Sequence, residues 1–248
     1  KTAVLTRRIA YLLAERGVMP GQVLAITFTN KAAAEMRERV AGLVGPRANS
    51  MWVSTFHSSC VRILRSQATL LPGLNSNFSI YDADDSRRLL TMISKDLQID
   101  TKKFTARLLS TAISNLKNEL VGPEDAAAEA DKQMVELPKL VAQVYGIYQQ
   151  RLRSANAMDF DDLIGETVGL LQAFPQVAEY YRRRFRHVLV DEYQDTNHAQ
   201  YMLVRELVGR EDADGALEGT VAPGELCVVG DADQSIYAFR GATIRNIE

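Results

Sequence analysis

Short apolar runs alternate with helical patterns at both ends of the chain. Residues 23–28 and 51–56 form continuous apolar, β-prone runs, which are typical of strands buried on both faces of a parallel sheet. Good helix formers follow them at residues 31–43 and 58–68. Two further apolar runs, at 187–190 and 226–229, predict buried strands. The alternation therefore predicts βαβ units.

The middle of the chain has a different pattern. Residues 82–85 have the acidic composition of a helix start, and helical periodicity continues to about residue 171 with few strand signals. The pattern predicts an α/β fold in which a parallel sheet flanked by helices is interrupted by an all-helical subdomain. We expect the first part of the sheet domain at residues 1–80, the insertion at 81–175 and the second part at 176–248.

Composition narrows the class of protein. The 248 residues are 46% hydrophobic and 24% charged, with a formal charge of −2, which is typical of a globular protein and excludes a disordered, fibrous or histone-like chain. A local nucleic-acid-binding patch is still compatible with this charge. Cys60 and Cys227 lack metal-ligand spacing, so we expect buried thiols in a reducing compartment. No apolar run approaches the roughly 18 residues of a membrane span, and we expect no membrane association.

Polar clusters follow four of the predicted strands, at residues 27–30, 54–57, 191–195 and 230–234. Ligands of open α/β sheets bind outside the carboxyl ends of the strands, so the four clusters predict one site at one edge of the sheet.

Two pairs of residues suit phosphate chemistry. Asp191 and Glu192 follow an apolar strand; they could form a solvated turn, or Asp191 could bind Mg²⁺ while Glu192 activates a water. Lys1 and Thr2 match the last two residues of a G-x-x-x-x-G-K-[ST] phosphate loop, but the pair alone is not diagnostic.

A third group follows the last strand. Gln234 and Arg240 could sense a γ-phosphate, and Tyr237 and Phe239 could either stack on bases or belong to the core. The same two interpretations apply to Phe28, Phe56 and His57, whereas Trp52 lies within a strand and is expected in the core. The basic run at residues 182–187 could contact phosphates or form a solvated helix end.

Five segments taken together resemble the N-terminal half of superfamily 1A DNA helicases of the UvrD/PcrA/Rep family. They are AITFTNKAAAEMR at 25–37, TFHS at 55–58, DFDDL at 159–163, VDEYQDTN at 190–197 and GDADQSIYAFRGA at 230–242. The resemblance runs from residue 1 to residue 248. It implies a RecA-like P-loop ATPase domain with a helical insertion.

The resemblance also implies roles for individual residues. For ATP and Mg²⁺ it implies that Lys1 and Thr2 complete the phosphate loop, Asp191 holds Mg²⁺, Glu192 is the base, and Gln234 and Arg240 contact the γ-phosphate. The single-stranded DNA path is implied to be lined by Phe28, Asn30, Thr55, His57, Tyr237 and Phe239.

For the parent protein the resemblance implies ATP-driven 3′-to-5′ translocation on single-stranded DNA and at single-strand/double-strand junctions. It also implies a second RecA-like domain of the same protein, which we expect beyond this chain, so that the chain alone should hydrolyse ATP poorly. Repair or replication proteins are further possible partners, and the expected location is the bacterial cytosol, associated with the nucleoid when DNA is bound. Two alternatives are a non-catalytic DNA-binding or partner-docking module and a subunit of a helicase–nuclease.

Overall fold

A computed structural model describes residues 1–210 and 220–231, which form two compact units. The first unit combines residues 1–60 with the described residues from 167 onward, and the second comprises residues 61–166. The domain limits expected from sequence, after residues 80 and 175, lie later in the chain than the limits of these units.

The strands, in chain order, are β1 (Val23–Thr27), β2 (Trp52–Thr55), β3 (Ser79–Tyr81), β4 (Ala157–Asp159), β5 (His187–Val190) and β6 (Glu225–Val228). The α-helices are α1 (Thr2–Glu15), α2 (Asn30–Val44), α3 (Phe56–Ser66), α4 (Ala83–Asp96), α5 (Ala106–Asn118), α6 (Pro123–Gln133), α7 (Glu136–Ser154), α8 (Phe160–Ala173), α9 (Pro175–Arg184) and α10 (His198–Val208).

A parallel sheet in the order β2-β1-β5-β6 forms the centre of the first unit. β1 is the most buried strand, because it pairs with β2 on one side and with β5 on the other. Successive side chains point to opposite faces of the sheet, so a continuous apolar run fits a sheet that is covered on both faces. The predicted α/β class with a parallel sheet flanked by helices is therefore confirmed.

Helices α1 and α2 cover one face of this sheet. Leu5 and Ile9 of α1 and Met36 of α2 are fully buried against Ala25 and Leu189 of the central strands. On the opposite face, Trp52 packs against Phe185 with ring centroids 4.8 Å apart, which confirms that this tryptophan belongs to the core.

The edge strand β6 is less buried than its sequence predicts. Cys227 and Val229 pack on the α1–α2 side, but Leu226 and Val228 are 44% and 42% exposed. The expectation of a strand buried on both faces is therefore wrong for residues 226–229. The two cysteines differ in the same way, since Cys60 is buried and Cys227 is only half-buried.

The second unit is mainly helical. Helices α4, α5, α6 and α7 enclose an apolar core that includes Leu109, Val144 and Leu152. β3 and β4 form a two-stranded parallel sheet beside them, which the sequence prediction missed together with α6. Asp82 caps α4 through a capping box with Asp85, which confirms the acidic helix start. Among the described residues, none of the helices has the length and apolar character needed to cross a lipid bilayer.

A buried ionic cluster lies within the second unit. The Nζ atom of Lys117 is 2.6 Å from Asp159 Oδ2 and 2.9 Å from Asp162 Oδ1. Tyr148 donates a hydrogen bond to Asp159 Oδ2 at 2.8 Å, and Gln149 donates one to Asp162 Oδ1 at 3.1 Å. The Lys117 ammonium and both carboxylates therefore have partners, as burial of charge requires. The amide oxygen of Gln149 is buried without a hydrogen-bond partner in the part of the chain that the structure describes.

Candidate active site

The carboxyl ends of the four parallel strands meet at one edge of the first unit. Thr27 pairs with Thr55 in the ladder between β1 and β2, and Val190 pairs with both Ile26 and Val228. The polar segments that follow these strands therefore begin at the same level of the sheet. This is the arrangement from which a ligand site at the sheet edge is predicted.

The start of α1 contacts the end of β5. The Thr2 hydroxyl donates a hydrogen bond of 2.7 Å to Asp191 Oδ2, although the two residues are far apart in sequence. Asp191 is 3% exposed, and its second oxygen, Oδ1, accepts the backbone N–H of Glu192 at 2.9 Å. The carboxylate is thus held firmly, with Oδ2 turned toward the N-terminus of a helix, where the macrodipole favours negative charge.

Lys1 contacts the end of β6. Its Nζ atom lies 2.7 Å from Asp231 Oδ2, and both side chains are partly exposed. The ammonium group and the first turn of α1 are therefore on the side of the sheet edge that carries Asp191. An ammonium group beside the N-terminus of a helix is a combination that binds phosphate.

Glu192 has an unusual backbone conformation. Its φ angle of 51° is in the left-handed region, which few non-glycine residues adopt. Its carboxylate Oε2 accepts a hydrogen bond of 2.6 Å from Gln194 Nε2. Left-handed residues of this kind are concentrated at functional sites, where the surrounding contacts hold them in place. The backbone and Gln194 together aim the Glu192 side chain.

The donor atoms at this edge fit a hydrated magnesium ion. Thr2 and Asp191 provide a hydroxyl and a carboxylate within hydrogen-bond distance of each other, and Mg²⁺ prefers oxygen ligands of this kind. Within residues 1–210 and 220–231 no group of three or more His, Cys, Asp or Glu side chains is arranged as a metal cage. One or two protein oxygens beside a phosphate site are the usual protein contribution when a nucleotide supplies the other ligands.

The DNA-binding candidates of β1 and β2 lie at the same edge. Phe28 is half-buried, with its ring 5.3 Å from that of Phe56 in an edge-to-face contact. Asn30 is exposed at the first residue of α2, and His57 is half-buried in the first turn of α3. Thr55 is buried, and its hydroxyl accepts the Ser58 N–H at 3.1 Å, so its clearest role is to stabilise the start of α3.

Other candidates fall elsewhere. Gln234, Tyr237, Phe239 and Arg240 lie outside the described residues. The basic run is engaged within the first unit: Arg182 pairs with Glu206, Arg183 with Glu179, and the Arg184 guanidinium lies 4.8 Å from the centroid of the Trp52 ring. These contacts favour a structural role for the run.

Two residues of the site were not singled out from the sequence. Gln194 and Asp231 lie within the polar clusters, but nothing in their spacing shows that the Gln194 side chain would reach Glu192 or that Asp231 would pair with Lys1. The signal that could have found them is their position within four residues of two neighbouring strand ends.

Comparison with known proteins identifies the family of this chain. A family profile described as "UvrD/REP helicase N-terminal domain" matches residues 1–248. The chain is 74% identical over 248 residues to the ATP-dependent DNA helicase UvrD1 of Mycobacterium tuberculosis and 51% identical over 247 residues to the ATP-dependent DNA helicase PcrA of Staphylococcus aureus. In each comparison all of this chain is covered but only 32% of the relative, so the chain spans about a third of the relatives' length.

Proposed function

We propose that this chain, which belongs to the UvrD/REP helicase N-terminal domain family, is the nucleotide-hydrolysing part of an ATP-dependent DNA helicase. The complete protein would move 3′ to 5′ along single-stranded DNA and act at single-strand/double-strand junctions in repair or replication. We also propose that the complete protein works in the bacterial cytosol, on nucleoid DNA. There this chain would act together with a second RecA-like domain of the same protein.

The contact between Thr2 and Asp191 is the observation that carries the proposal. It joins the end of a predicted phosphate loop to the carboxylate that follows a buried strand, across the whole of the intervening insertion. Lys1 supports the proposal as well, because its ammonium group pairs with an aspartate on the neighbouring strand end. A non-catalytic module would not need these side chains to meet.

Each residue has a distinct task in the proposed reaction. The Lys1 ammonium would bind the β- and γ-phosphates, and the Thr2 hydroxyl and Asp191 carboxylate would hold Mg²⁺. When bound, Mg²⁺ neutralises phosphate charge that develops during phosphoryl transfer. Glu192 would orient an attacking water and accept its proton. Gln234 and Arg240 are proposed as contacts to the γ-phosphate.

The DNA strand would lie along the same edge. Phe28 and Asn30 follow β1, and His57 follows β2, so they extend the edge away from Asp191 in the order of the strands. Ring faces of Phe28, Tyr237 and Phe239 would stack on bases, with Thr55 supporting the start of α3. Because nucleotide and DNA would share one edge of the sheet, binding of one would alter the affinity for the other.

The test is Glu192→Gln in the full-length protein. The substitution keeps the size of the side chain but removes the proton acceptor, so we expect ATP binding to be retained and DNA-stimulated ATP hydrolysis to fall at least about 100-fold. Glu179→Gln is the matched control, since this glutamate pairs with Arg183 away from the strand ends. Turnover that is indifferent to Glu192→Gln, or to added single-stranded DNA, would refute the proposal.

A further inference from the structure

The side-chain amide of Gln194 bridges two strand ends. Its Nε2 atom donates to Glu192 Oε2 at 2.6 Å, and its Oε1 atom accepts the backbone N–H of Asp231 at 3.0 Å. The residue is 1% exposed, so both contacts are shielded from water. A carboxylate accepts hydrogen bonds and a backbone N–H donates one, and a neutral amide, which carries a donor and an acceptor, satisfies both at once.

The backbone around this bridge is fixed from both sides. The Tyr193 N–H donates to Val229 O at 3.0 Å, which extends the contact between β5 and β6 past the ends of the strands. Thr196 Oγ1 donates to Tyr193 O at 2.7 Å and steadies the short turn that contains Gln194. These two hydrogen bonds fix the backbone of the turn from which the Gln194 side chain extends.

Gly230 provides the space for the bridge. A Cβ atom at this position would lie 2.8 Å from Gln194 Oε1 and 3.1 Å from the Gln194 backbone nitrogen. Atoms at such separations overlap, and the second contact is to backbone, which cannot rotate away. A glycine here allows the end of β6 to approach the amide closely.

The contacts continue from the bridge to the phosphate-binding lysine. Asp231, whose N–H meets Gln194, pairs through its carboxylate with Lys1 Nζ at 2.7 Å. Gln194 and Asp231 thus link Lys1, which would bind the phosphates, to Glu192, which would orient the attacking water. A displacement of the end of β6 would be transmitted to Glu192 through one rigid amide.

We infer that Gln194 is a positioning residue, which holds the Glu192 carboxylate in its reactive orientation and ties that orientation to the end of β6. This inference rests on the proposed function, because it takes Glu192 as the base. Gln194 would act through Glu192 rather than on the nucleotide. Its loss should therefore lower the rate of hydrolysis and leave nucleotide affinity nearly unchanged.

The experiment compares variants of the full-length protein in DNA-stimulated ATP hydrolysis. Gln194→Leu removes both hydrogen bonds at similar volume, and we expect kcat to fall about 10- to 100-fold with KM for ATP within about twofold. Gln194→Glu keeps the acceptor but sets a second carboxylate against Glu192, and it should give a similar loss of kcat. Gly230→Ala should do the same through crowding.

Gln200→Leu is the matched control. Gln200 is also a buried glutamine in this segment, but its amide oxygen accepts the Asn197 N–H at the start of α10. This variant should lower the thermal unfolding temperature without lowering kcat of the folded protein. A decisive further variant combines Gln194→Leu with Glu192→Gln: if Gln194 acts through Glu192, the double variant should be no slower than Glu192→Gln alone.

The outcomes separate the two hypotheses. If Glu192→Gln is slow and Gln194→Leu is as fast as the unmodified protein, the inference about Gln194 is overturned and the proposed function stands. A raised KM with unchanged kcat, or additive losses in the double variant, also overturns the inference. If Glu192→Gln itself is active, the proposed function fails first. Should Gln194→Leu not fold, Gln194→Glu and Gly230→Ala decide the question by the same criteria.

Discussion

The buried ion pair of the second unit offers a sharp test of how charge stabilises this fold. Lys117 lies between Asp159 and Asp162, and all three are less than 10% exposed. Burial raises the pKa of Asp159, but the charge and hydrogen bond of Lys117, together with hydrogen bonds from the Asp162 N–H and the Tyr148 hydroxyl, hold that pKa below its ordinary value. Burial, reinforced by the Asp159 charge, raises the pKa of Asp162 to about 6. Lys117→Met removes the ammonium and leaves two buried carboxylates facing each other.

The cost can be bounded from proton chemistry. A carboxylate that has lost its counter-ion in the interior will bind a proton instead of staying charged, and for a group of ordinary pKa near 3.9 this costs about 4 kcal/mol at pH 7. Measured losses for breaking one side of a buried ion pair are about 3–5 kcal/mol, in agreement. The proton cost falls by about 1.4 kcal/mol for each pH unit, so the same substitution should cost only about 1.5 kcal/mol at pH 5.

The sign of the pH dependence follows from linkage. In the variant the folded state holds protons on these carboxylates at pH values where the unfolded state has released them, so stability falls as pH rises from about 4 to 7. In the unmodified chain Asp162 contributes in the same direction, since its folded pKa is raised. Asp159 contributes in the opposite direction, because its stabilisation is lost as pH falls through its lowered folded pKa.

Urea unfolding of the chain, followed by far-ultraviolet circular dichroism at pH 7 and pH 5, measures these differences. Lys103→Met is the control. Lys103 pairs with Glu136 at a similarly short distance, 2.8 Å, but both side chains are more than half exposed. The loss of this pair should therefore lower the free energy of unfolding by less than about 1 kcal/mol at either pH. If Lys117→Met costs no more than the control at pH 7, or costs the same at pH 5 as at pH 7, the reasoning about buried charge is wrong.

Two further predictions concern the first unit. Asn197 caps α10 by accepting the Gln200 N–H, so Asn197→Ala should lower the free energy of unfolding by about 1 kcal/mol. Asn197→Asp keeps the acceptor and should change it by only about 0.3 kcal/mol. Equal losses for the two variants in urea unfolding would contradict the cap. Burial raises the pKa of the Cys60 thiol to about 12, so iodoacetamide at pH 8 should label half-buried Cys227 at least about tenfold faster than Cys60. Mass spectrometry of tryptic peptides measures both rates, which should be equal in urea. Fast labelling of Cys60 in the folded protein would refute its burial.

The strands that could be predicted from the sequence are those with continuous apolar runs. β1 and β5 have such runs, which are typical of a strand buried on both faces and do not depend on which strands lie beside it. β3 and β4 are three residues long and include Ser79, Tyr81 and Asp159, so no run of apolar residues predicts them. β6 has the composition of a buried strand, but its place at the edge of the described sheet leaves Leu226 and Val228 exposed.

The candidate site divides in a similar way. The positions of Lys1, Thr2, Asp191 and Glu192 at one sheet edge follow from strand ends and from the resemblance to a known family. The hydrogen bonds of Gln194 could not be predicted, because they depend on the register of β5 against β6 and on the left-handed turn at Glu192. The Lys117 cluster was missed for a related reason, since its members are separated in sequence and meet only after α5 and α8 are in place.

The position of β1 in the middle of its sheet has a consequence for biosynthesis. Ala25 must pair with Leu189, and every residue of the second unit is translated between them. At 5–20 residues per second the ribosome needs roughly 8 to 33 seconds to make that stretch, and during this time one hydrogen-bonding edge of β1 is unpaired. A nascent strand in that state is a target for chaperones and for mispairing with other chains. Early collapse of the second unit would not change this time. It would lower the entropic cost of pairing β1 with β5, because a compact intervening segment makes a shorter effective loop.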